Sequence, residues 1–510
     1  MRNCVPANWD VAELRDIAEA RSGYGFPESL QGRTNGEVPF FKVGDISRAV
    51  LSHRDLLTTA QHYITEEEAA QIGARVLPKD TVVFAKIGEA VKLNRRAALA
   101  QDSLVDNNVM GLIPNSAVVP TYLLHFMRTV DLGVLSQATT VPSVRKGDVQ
   151  RVKIPIAPMG EQRRIVEAIE SYLTRLDNAV ALLERVEQNL KRYRTSILKA
   201  AVEGRLVPTE AELARREGRE YEPASELLKR ILAERKARWI EDAAEKARAK
   251  AEEKARKAGQ PWTAKDDAAT LEKERAKAAK QYKEPHAPET TDLADLPEGW
   301  CWVSPRQLFS WASGEFLPRS QQREGSVPVY GGNGVTGHHD VALVDTPTLI
   351  IGRVGAQCGN VHVARGSAWI TDNAIYASEG GARADLDYWQ MVLSVEDLNA
   401  GAAGTGQPYV NQTHLNALRV PFPPKDEQAR IVGEVNRLLS VADGIRGTAA
   451  VTALRSVRLR QSILKWAFEG KLAEQDPNDE PASVLLERIR AEQTAASAPQ
   501  ARMRRERSAE

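Results

Sequence analysis

The sequence PIAPMGEQRRIVEAIESYLTRLDNAVALLERVEQNLKRYRTSILKAAVEGRL occupies residues 155–206. A second copy, PFPPKDEQARIVGEVNRLLSVADGIRGTAAVTALRSVRLRQSILKWAFEGKL, occupies residues 421–472. One offset of 266 residues aligns the two copies without a gap, with Glu-Gln near both starts and Ser-Ile-Leu-Lys near both ends. A match at both ends without a slip indicates an internal duplication.

Each copy predicts one long helix. Apolar residues recur at alternating spacings of four and three from Ile165 to Ile197, and the second copy keeps this register from Ile431 to Ile463. Such a heptad seam is buried only against a partner helix. Because the middle of the second seam has smaller residues than the middle of the first, we expect each helix to pair with the other.

The ends of both helices carry matching signals. Pro158 and Pro424 precede the helices, and proline is favoured at a helix start. Gly204 and Gly470 follow them, as expected of a helix stop. The pattern therefore predicts two helices of equal length.

The repeat extends into the regions before the helices. The same offset pairs Asp106-Asn107 with Asp372-Asn373, and one residue of slip aligns Val82–Gly88 with Leu349–Gly355. Apolar and β-branched runs predict strands in both regions at 40–43, 81–87, 108–113, 348–351, 360–363 and 374–377, and residues 121–129 predict a short helix. We therefore predict an α+β fold in which two mixed α/β domains, here called heads, are separated by two long antiparallel coiled-coil helices in a pseudo-twofold internal repeat.

The composition changes mark the expected segment boundaries. An alanine-rich stretch of alternating charges separates the first helix from the second head and predicts a helical linker, or a hairpin, with little core. The expected segments are the first head (1–150), the first helix (151–207), the charged linker (208–295), the second head (296–417), the second helix (418–473) and a tail (474–510).

Composition excludes several classes of protein. The 510 residues have a net charge of only +1, and no apolar run resembles a signal core or a membrane span, so we expect a cytoplasmic protein. Cys4, Cys301 and Cys358 form no close pair, which argues against a disulfide framework and a cysteine metal site.

Motifs for catalysis are also missing. Gly352, Gly355 and Gly359 form a loose glycine spacing without a helix after it, which favours a tight turn over a phosphate loop. His338-His339-Asp340 fits no closed zinc site. We expect neither catalysis nor a cofactor in this chain.

Two classes of function remain. Heads separated by a rigid helical pair suit a DNA-binding protein or a coiled-coil adaptor that binds two protein ligands. Basic residues exceed acidic ones in both helices, where Arg192 and Arg194 match Arg458 and Arg460, but the second head is acidic. Charge alone therefore favours DNA only modestly.

The whole pattern resembles the specificity subunit of Type I restriction–modification systems. The residues that carry the resemblance are Leu296–Trp300, the Glu-Gln and Ser-Ile-Leu-Lys pairs of both helices with the Glu-Gly that follows each pair, Gly352–Gly355 with Gly359–Val361, and Thr371–Asn373. The resemblance covers nearly the whole chain, although the long charged linker departs from the pattern.

The resemblance implies a non-catalytic protein with two target recognition domains. Each would read one half of a bipartite, asymmetric site in double-stranded DNA, while the helices set the spacer. Two modification (methyltransferase) subunits would dock on the helices, and restriction (translocase–nuclease) subunits would complete the endonuclease. Apolar residues off the heptad seams predict a quasi-symmetric docking surface: Val166, Leu173, Val180, Leu182, Leu439, Val441 and Leu454.

Candidate DNA contacts are cations, amides and histidines in loops or at predicted strand ends. Lys86 and Arg353 stand at matched strand ends, each two residues before a glycine. The full set of candidates is Lys42, Lys86, Arg95, Arg96, Asn107, Arg145, Lys146, Asn333, His338, His339, Arg353, Asn373, Gln407 and Asn411. An ordinary role as exposed loop side chains is an open alternative for each of them.

Overall fold

The computed structural model describes residues 5–52, 55–136, 141–355, 358–379, 384–396, 398 and 409–492. The chain divides into two compact units that are not its two sequence halves. The first unit comprises residues 1–185 and 449–510, and the second comprises residues 186–448. Each unit therefore contains one head and one part of each long helix.

The first head contains ten short strands and six short α-helices among its described residues. The strands are β1 (Asp10–Glu13), β2 (Ala18–Ser22), β3 (Val38–Phe41), β4 (Leu56–Leu57), β5 (His62–Ile64), β6 (Val82–Ala85), β7 (Arg96–Leu99), β8 (Leu104–Val105), β9 (Val109–Pro114) and β10 (Lys153–Ile156). The helices are α1 (Leu14–Ile17), α2 (Val43–Leu51), α3 (Glu66–Gln71), α4 (Pro120–Met127), α5 (Leu132–Leu135) and α6 (Lys146–Gln150).

The first long helix, α7 (Met159–Val202), follows the first head and leads into the linker helices α8 (Glu210–Glu217), α9 (Ala224–Lys257) and α10 (Ala264–Gln281). The second head then has strands β11 (Cys301–Val303), β12 (Ser310–Ser313), β13 (Val327–Gly331), β14 (Gly334–His339), β15 (Thr348–Gly352), β16 (Val361–Ala364), β17 (Trp369–Ile370), β18 (Ala374–Glu379) and β19 (Val420–Phe422). Its helices are α11 (Pro305–Leu308), α12 (Leu386–Val395) and α13 (Gln412–Ala417), and the second long helix is α14 (Lys425–Phe468).

Both heads have the same sheet plan. The main sheet has the order β2-β9-β6-β7-β4 in the first head and β12-β18-β15-β16 in the second. A three-stranded sheet, β5-β3-β8 or β14-β13-β17, and a two-stranded sheet, β1-β10 or β11-β19, complete each head. The predicted strands and the predicted short helix are all present, so the α+β prediction is confirmed.

The two long helices have 44 residues each, as the equal spacing of their signals predicts. The N–H of Gln162 donates to the carbonyl of Pro158, and that of Gln428 to the carbonyl of Pro424, so both helices begin directly after proline. Gly204 and Gly470 have φ angles of 67° and 71° and end them in the left-handed conformation that glycine adopts without strain.

Within each unit the two long helices run antiparallel. In the first unit Arg164 pairs with Asp479, which follows α14, whereas Asp177, further along α7, pairs with Arg460 inside α14. In the second unit Arg194 of α7 pairs with Asp443 of α14. The pairs Asp177–Arg460 and Asp443–Arg194 are exact counterparts at the offset of 266, which confirms the internal repeat in three dimensions.

The off-seam apolar residues of the helices are not a single exposed row. Val166 and Leu173 pack against the core of the first head, and Leu439 packs against the core of the second. Leu182 and Leu454 are 60% and 72% exposed. The expected docking surface is therefore smaller than the sequence pattern indicates, because each head covers part of its helix.

The heads are attached to the helices by a repeated junction. In the second unit the indole Nε1 of Trp300 donates to Glu427 at 2.9 Å, and Glu427 also accepts from the N–H of Glu210 at 2.8 Å. In the first unit Glu161 takes the place of Glu427 and accepts from Asn8 Nδ2 at 3.3 Å. Burial raises the pKa of both carboxyl groups above the usual value.

Two buried tyrosines repeat the same attachment inside the heads. Tyr122 and Tyr388 donate to the carbonyls of Pro155 and Pro421, at 2.9 and 2.8 Å. Tyr122 belongs to α4 and Tyr388 to α12, so each hydroxyl fixes a head helix to the strand that leads into a long helix. A buried hydroxyl without such an acceptor would be costly.

The linker contains the predicted helical hairpin. The helices α9 and α10 pack against each other, with Arg275 paired to Glu241 and Arg248 paired to Asp267. Gly259, with a φ of 68°, lies in the turn between them. No described helix of the chain is both long and apolar enough to cross a membrane.

Candidate nucleic-acid interface

Lys86 and Arg353 occupy equivalent positions in the two heads. Lys86 follows β6, and its N–H donates to the carbonyl of Asn108 at 2.9 Å. Arg353 follows β15, and its N–H donates to the carbonyl of Asn373 at 2.8 Å. In each head this backbone hydrogen bond therefore places a cation next to an asparagine.

A second backbone contact extends this edge. The carbonyls of Lys86 and Arg353 accept from the N–H groups of Val144 and Val410, each at 2.8 Å. The next residues in the chain are Arg145, which caps α6, and Asn411, which caps α13. The Oδ1 atom of Asn411 accepts from the N–H of His414 at 2.7 Å, so this amide is already oriented by its own helix.

The first head adds Lys42 and Asn107 to the edge. Lys42 follows β3, the N–H of Asp106 donates to the carbonyl of the preceding Phe41, and Asn107 is exposed in the turn after Asp106. The ammonium of Lys42 donates to Gln31 at 2.6 Å. We call Lys42, Lys86, Asn107 and Arg145 the first strand-end cluster.

Lys86 is only half-exposed, and this affects its charge. Burial lowers the pKa of Lys86, and the nearby Asp106 raises it in part. In the second head, Thr371 instead of an aspartate occupies the position equivalent to Asp106. The side chain of Arg353 is exposed. The two heads therefore place cations of different accessibility on the same backbone frame.

In the second head the edge borders a groove that contains several polar side chains. The groove has a volume of about 380 Å³, and Asn333, Asn373, Arg319, Gln322 and Thr336 line it. Asn333 is exposed in the turn between β13 and β14. We call Asn333, Arg353, Asn373 and Asn411 the second strand-end cluster.

The structure separates His338 and His339 from this cluster. They pair with Pro328 and Val327, at the opposite end of the β13–β14 hairpin from Asn333. His339 is buried, and its Nδ1 atom accepts from the N–H of Arg323 at 3.0 Å. His339 is therefore a structural histidine, whereas His338 is exposed but lies away from the cluster at the far end of the hairpin.

The candidate Arg96 is also an interior residue. Its guanidinium is buried and donates to the carbonyls of Asn94 and Val130. Burial lowers the pKa of Arg96 to about 10. Its contacts indicate that Arg96 stabilises the head, whereas Arg95 is half-buried and Lys146 is exposed. Gln407 lies outside the described residues.

The helix arginines are less available than the sequence indicates. Arg194 and Arg460 each pair with an aspartate of the other long helix in their own unit. These ion pairs neutralise the charges of Arg194 and Arg460. Arg192 and Arg458 have no ion-pair partner among the described residues, so they are the helix arginines that remain for phosphate contacts. Within those residues no group of His, Cys, Asp and Glu could hold a metal ion.

Sequence reasoning missed three features of the interface and of the junction. The hydrogen bonds make Asn108, not Asn107, the counterpart of Asn373, because the strands β9 and β18 align at an offset of 265 rather than 266. Arg319 begins a single 3-10 turn, Arg319–Gln321, in a stretch of sequence without periodicity. The segment Val5–Trp9 matches Leu296–Trp300 in structure, and its shared proline and tryptophan were a usable signal at a different offset.

Comparison with known proteins identifies the family. Residues 6–192 and 297–442 match the family described as Type I restriction modification DNA specificity domain. The specificity subunit of the Type I restriction enzyme StySPI from Salmonella potsdam is 22% identical over 511 residues, which cover 96% of each chain.

Two solved structures share the fold. A chain from a study of complex assembly and conformational transition of the type I R-M system has a TM-score of 0.59 and 16% identity, over 92% of this chain and 99% of that one. The crystal structure of the HsdS subunit from Thermoanaerobacter tengcongensis has a TM-score of 0.54 and 17% identity, over 92% and 98%. This chain therefore belongs to the family of Type I restriction–modification specificity subunits, the non-catalytic DNA-specificity components of these systems.

Proposed function

We propose that each head reads one half of a bipartite, asymmetric DNA site. The observation that carries this proposal is the repeated strand-end frame, in which Lys86 and Arg353 are held by the same two backbone hydrogen bonds. A duplicated frame with different side chains suits two heads that bind the same kind of ligand but read different sequences.

The side chains of the two clusters suit base recognition. Arginine recognises guanine and asparagine recognises adenine by paired hydrogen bonds in the major groove. The second strand-end cluster offers both types, from Arg353 and from Asn333 and Asn373, beside a groove that can admit a base edge. The first cluster offers more cations, which also suit phosphate contacts.

Arg353 is the strongest single candidate for base contact in the second head. It is exposed, it follows a buried strand, and its backbone is fixed on both sides. Because the backbone of Arg353 is already ordered, little further backbone entropy is lost when its side chain binds DNA. This matters because the second head as a whole is acidic, so its affinity must come from a few well-placed donors.

We further propose that the long helices set the spacer between the two half-sites. The helices α7 and α14 both run without a break from one unit into the other, and each is 44 residues long. A continuous helix rises about 1.5 Å per residue and resists shortening. The spacer length would then be a property of the helices rather than of the heads.

The proposed protein partners are two modification subunits, joined by restriction subunits in the full endonuclease. Exposed apolar residues on the helices are the proposed docking points. They are unequal in the two units, since Val451, Leu454 and Val457 of α14 are exposed, whereas the equivalent residues of α7 are arginine, glutamine and lysine. We expect a complex with two modification subunits held by contacts of different composition, acting on DNA in the cytoplasm.

The direct test is to express the chain with its modification partner and to map methylated bases in the host genome by sequencing. We expect a split motif with two specified halves and an unspecified spacer. A single continuous motif produced by an active complex would contradict the proposal. Light scattering of the saturated complex checks the stoichiometry, and a 1:1 complex would contradict the two docking points.

The same material distinguishes the adaptor alternative. A coiled-coil adaptor would bind its protein ligands but would neither shift a DNA fragment in a gel nor direct methylation to a motif. A gel shift that requires the modification subunit and the methylated motif together supports DNA recognition. Protein binding with neither signal would favour the adaptor.

A further inference from the structure

The first unit has an open apolar groove beside its two-stranded sheet. The groove has a volume of about 780 Å³ and lies where β1 and β10 meet the last turns of α14. Phe126, Leu464 and Phe468 form its base, and Val11 and Lys153 lie on its side nearest the sheet. Lys153 is exposed and has no ion-pair partner among the described residues. The groove therefore combines an apolar surface with the cation of Lys153, and this combination suits a ligand that is both acidic and apolar.

The second unit provides a direct template for the ligand. The sheets β1-β10 and β11-β19 have the same register, with Val11 opposite Pro155 and Trp302 opposite Pro421. Trp302 is thus the counterpart of Val11. By the same register Arg419, which directly precedes β19, is the counterpart of Lys153.

Both counterparts contact a segment of the chain that lacks regular secondary structure. Trp302 Nε1 donates to the carbonyl of Ala294 at 3.3 Å, and the guanidinium of Arg419 pairs with Asp292 at 2.6 Å. Leu296, at the end of this segment, packs against the core of the second head. Residues 292–295, Asp-Leu-Ala-Asp, therefore contact in the second unit the counterparts of two residues that line the groove in the first, whereas Leu296 corresponds to Val5, which itself lines that groove.

We propose that the groove of the first unit binds an acidic segment of a protein partner that lacks regular secondary structure, in the way that the second unit holds residues 292–295. A carboxylate of the partner would pair with Lys153, and a leucine next to it in sequence would cover Phe126 and Phe468. The required chemistry is an Asp-Leu or Glu-Leu pair in a chain free of regular structure.

Charge favours a partner over the nearest residues of this chain. Residues 292–295 correspond by position to residues 1–4, whose sequence Met-Arg-Asn-Cys has no carboxylate for Lys153. Lys465 and Glu469 of α14 also line the groove, but they pair with each other at 3.8 Å, so Lys153 is the cation that remains for an acidic ligand. An exposed ion pair contributes little by itself, so the apolar base must supply most of the affinity and Lys153 the selectivity.

A synthetic peptide with the sequence of residues 286–297 tests the proposal with the full-length chain. It cannot displace residues 292–295 from the second unit, since that segment is covalently tethered and has a high effective concentration. We expect saturable binding of one labelled peptide per chain, measured by fluorescence anisotropy. Absence of saturable binding would overturn the proposal.

Charge reversal locates the binding site. We expect Lys153→Glu to weaken binding about threefold or more, and Lys79→Glu, at an exposed lysine away from the groove, to leave it unchanged. A peptide with Asp292→Lys should bind the wild-type chain more weakly and should regain affinity for the Lys153→Glu chain. Equal binding by all four combinations would overturn the assignment to this groove.

Two other occupants give different results. If residues 1–4 fill the groove, peptide binding would appear only after Arg2–Cys4 are replaced by glycine, and the partner proposal would be overturned. If a second copy of the chain covers the groove, light scattering would show a dimer that the peptide dissociates, with the same conclusion. Because none of these measurements involves DNA, they succeed or fail independently of the proposed DNA recognition.

Discussion

The two units use one attachment for their heads and differ in what they place around it. Both attach a proline–tryptophan segment to a buried glutamate at the start of a long helix, and both close the other helix with a glycine against that segment. The second unit adds the hairpin α9–α10 and residues 292–295. The first unit has a short helix at 482–492 and an open groove instead.

This difference indicates which parts of the repeat are constrained. A side chain at Gly204 would collide with Pro297 and crowd Trp300, and one at Gly470 would collide with Pro6. The attachment therefore tolerates little change in either unit. Surfaces that face outward carry no such constraint, so they are free to differ in charge and in shape.

The attachment itself differs in one hydrogen bond. Trp300 Nε1 donates to Glu427 at 2.9 Å. The Trp9 indole lies close enough to Glu161 to lower the pKa of that carboxyl in part, but its Nε1 atom has no hydrogen-bond partner among the described residues. The junction of the second unit is therefore the better satisfied in hydrogen bonds.

The largest effect is expected from removing either tryptophan. Trp9→Ala and Trp300→Ala each leave a cavity between a head and its helix. Replacement of a large buried aromatic residue by alanine lowers the free energy of unfolding by about 3 to 5 kcal/mol. Urea denaturation followed by circular dichroism measures this loss, and a loss below about 1 kcal/mol in either variant would show that the junction does not hold that head.

Phenylalanine at the same positions separates packing from hydrogen bonding. Trp300→Phe also leaves Glu427 without its indole donor, and a buried hydrogen bond to a charged group contributes about 1.5 to 3 kcal/mol. Trp9→Phe removes no such bond and serves as the matched control. We expect Trp300→Phe to destabilise the chain by more than Trp9→Phe does, and equal losses would refute the inequality of the two junctions.

A smaller effect is expected at the two strand ends. Loss of a base-contacting arginine costs about 1 to 3 kcal/mol of binding free energy and relaxes one position of the recognised sequence. We expect Arg353→Ala to relax the half-site of the second head alone, and Lys86→Ala to affect only the other half-site, and less strongly because Lys86 is half-buried. Methylation sequencing of both variants checks this expectation.

Two outcomes for Arg353→Ala would contradict base contact by this side chain. If Arg353→Ala leaves both the motif and the affinity unchanged, Arg353 does not contact a base. If it weakens binding to all sequences equally, the side chain contacts phosphate, which positions the head without reading sequence. His338→Ala is the matched control in the second head, since His338 lies at the other end of its hairpin.

The smallest effect is expected from the paired helix aspartates. Asp177 and Asp443 are about half-exposed, so each ion pair is screened and contributes about 0.2 to 1 kcal/mol. We expect Asp177→Asn to cost more than Asp443→Asn, because Arg460 lies near Arg128, and the charge of Arg128 adds to the burial that lowers the pKa of Arg460. Urea denaturation of both single variants and of the double variant provides the comparison, and a larger loss for Asp443→Asn would contradict it.

The sequence was sufficient for the helices and for the strand plan of the heads. The seam from Ile165 to Ile197, repeated from Ile431 to Ile463, is long enough to exclude other structures. The strand-end cations were predictable because β6 and β15 are short apolar runs, each followed directly by a cation that stands two residues before a glycine.

Burial inside the heads was not predictable from single residues. His338 and His339 are neighbours in sequence, yet one is exposed and the other buried, because alternate residues of a strand face opposite sides. The buried guanidinium of Arg96 donates hydrogen bonds to the carbonyls of Asn94 and Val130, and Val130 is remote in sequence. The Trp9 junction was missed because the heads differ in length, which changes the offset.

The proposal that the helices set the spacer is the central claim about the whole chain. An insertion of seven residues between Ala179 and Leu183, with another between Ile445 and Ala449, keeps the heptad seam in register. It lengthens both helices by about 10 Å at 1.5 Å per residue. At about 3.4 Å per base pair, the spacer should grow by about three base pairs.

The most direct measurement is therefore the methylated motif of a host that expresses this insertion variant with its modification partner. Insertions of four residues at the same places are the control, since they rotate the apolar seam away from its partner and should destabilise the chain. Unchanged half-sites separated by a spacer about three base pairs longer are the predicted result. An active seven-residue variant with the original spacer would contradict the claim that the helices set the distance.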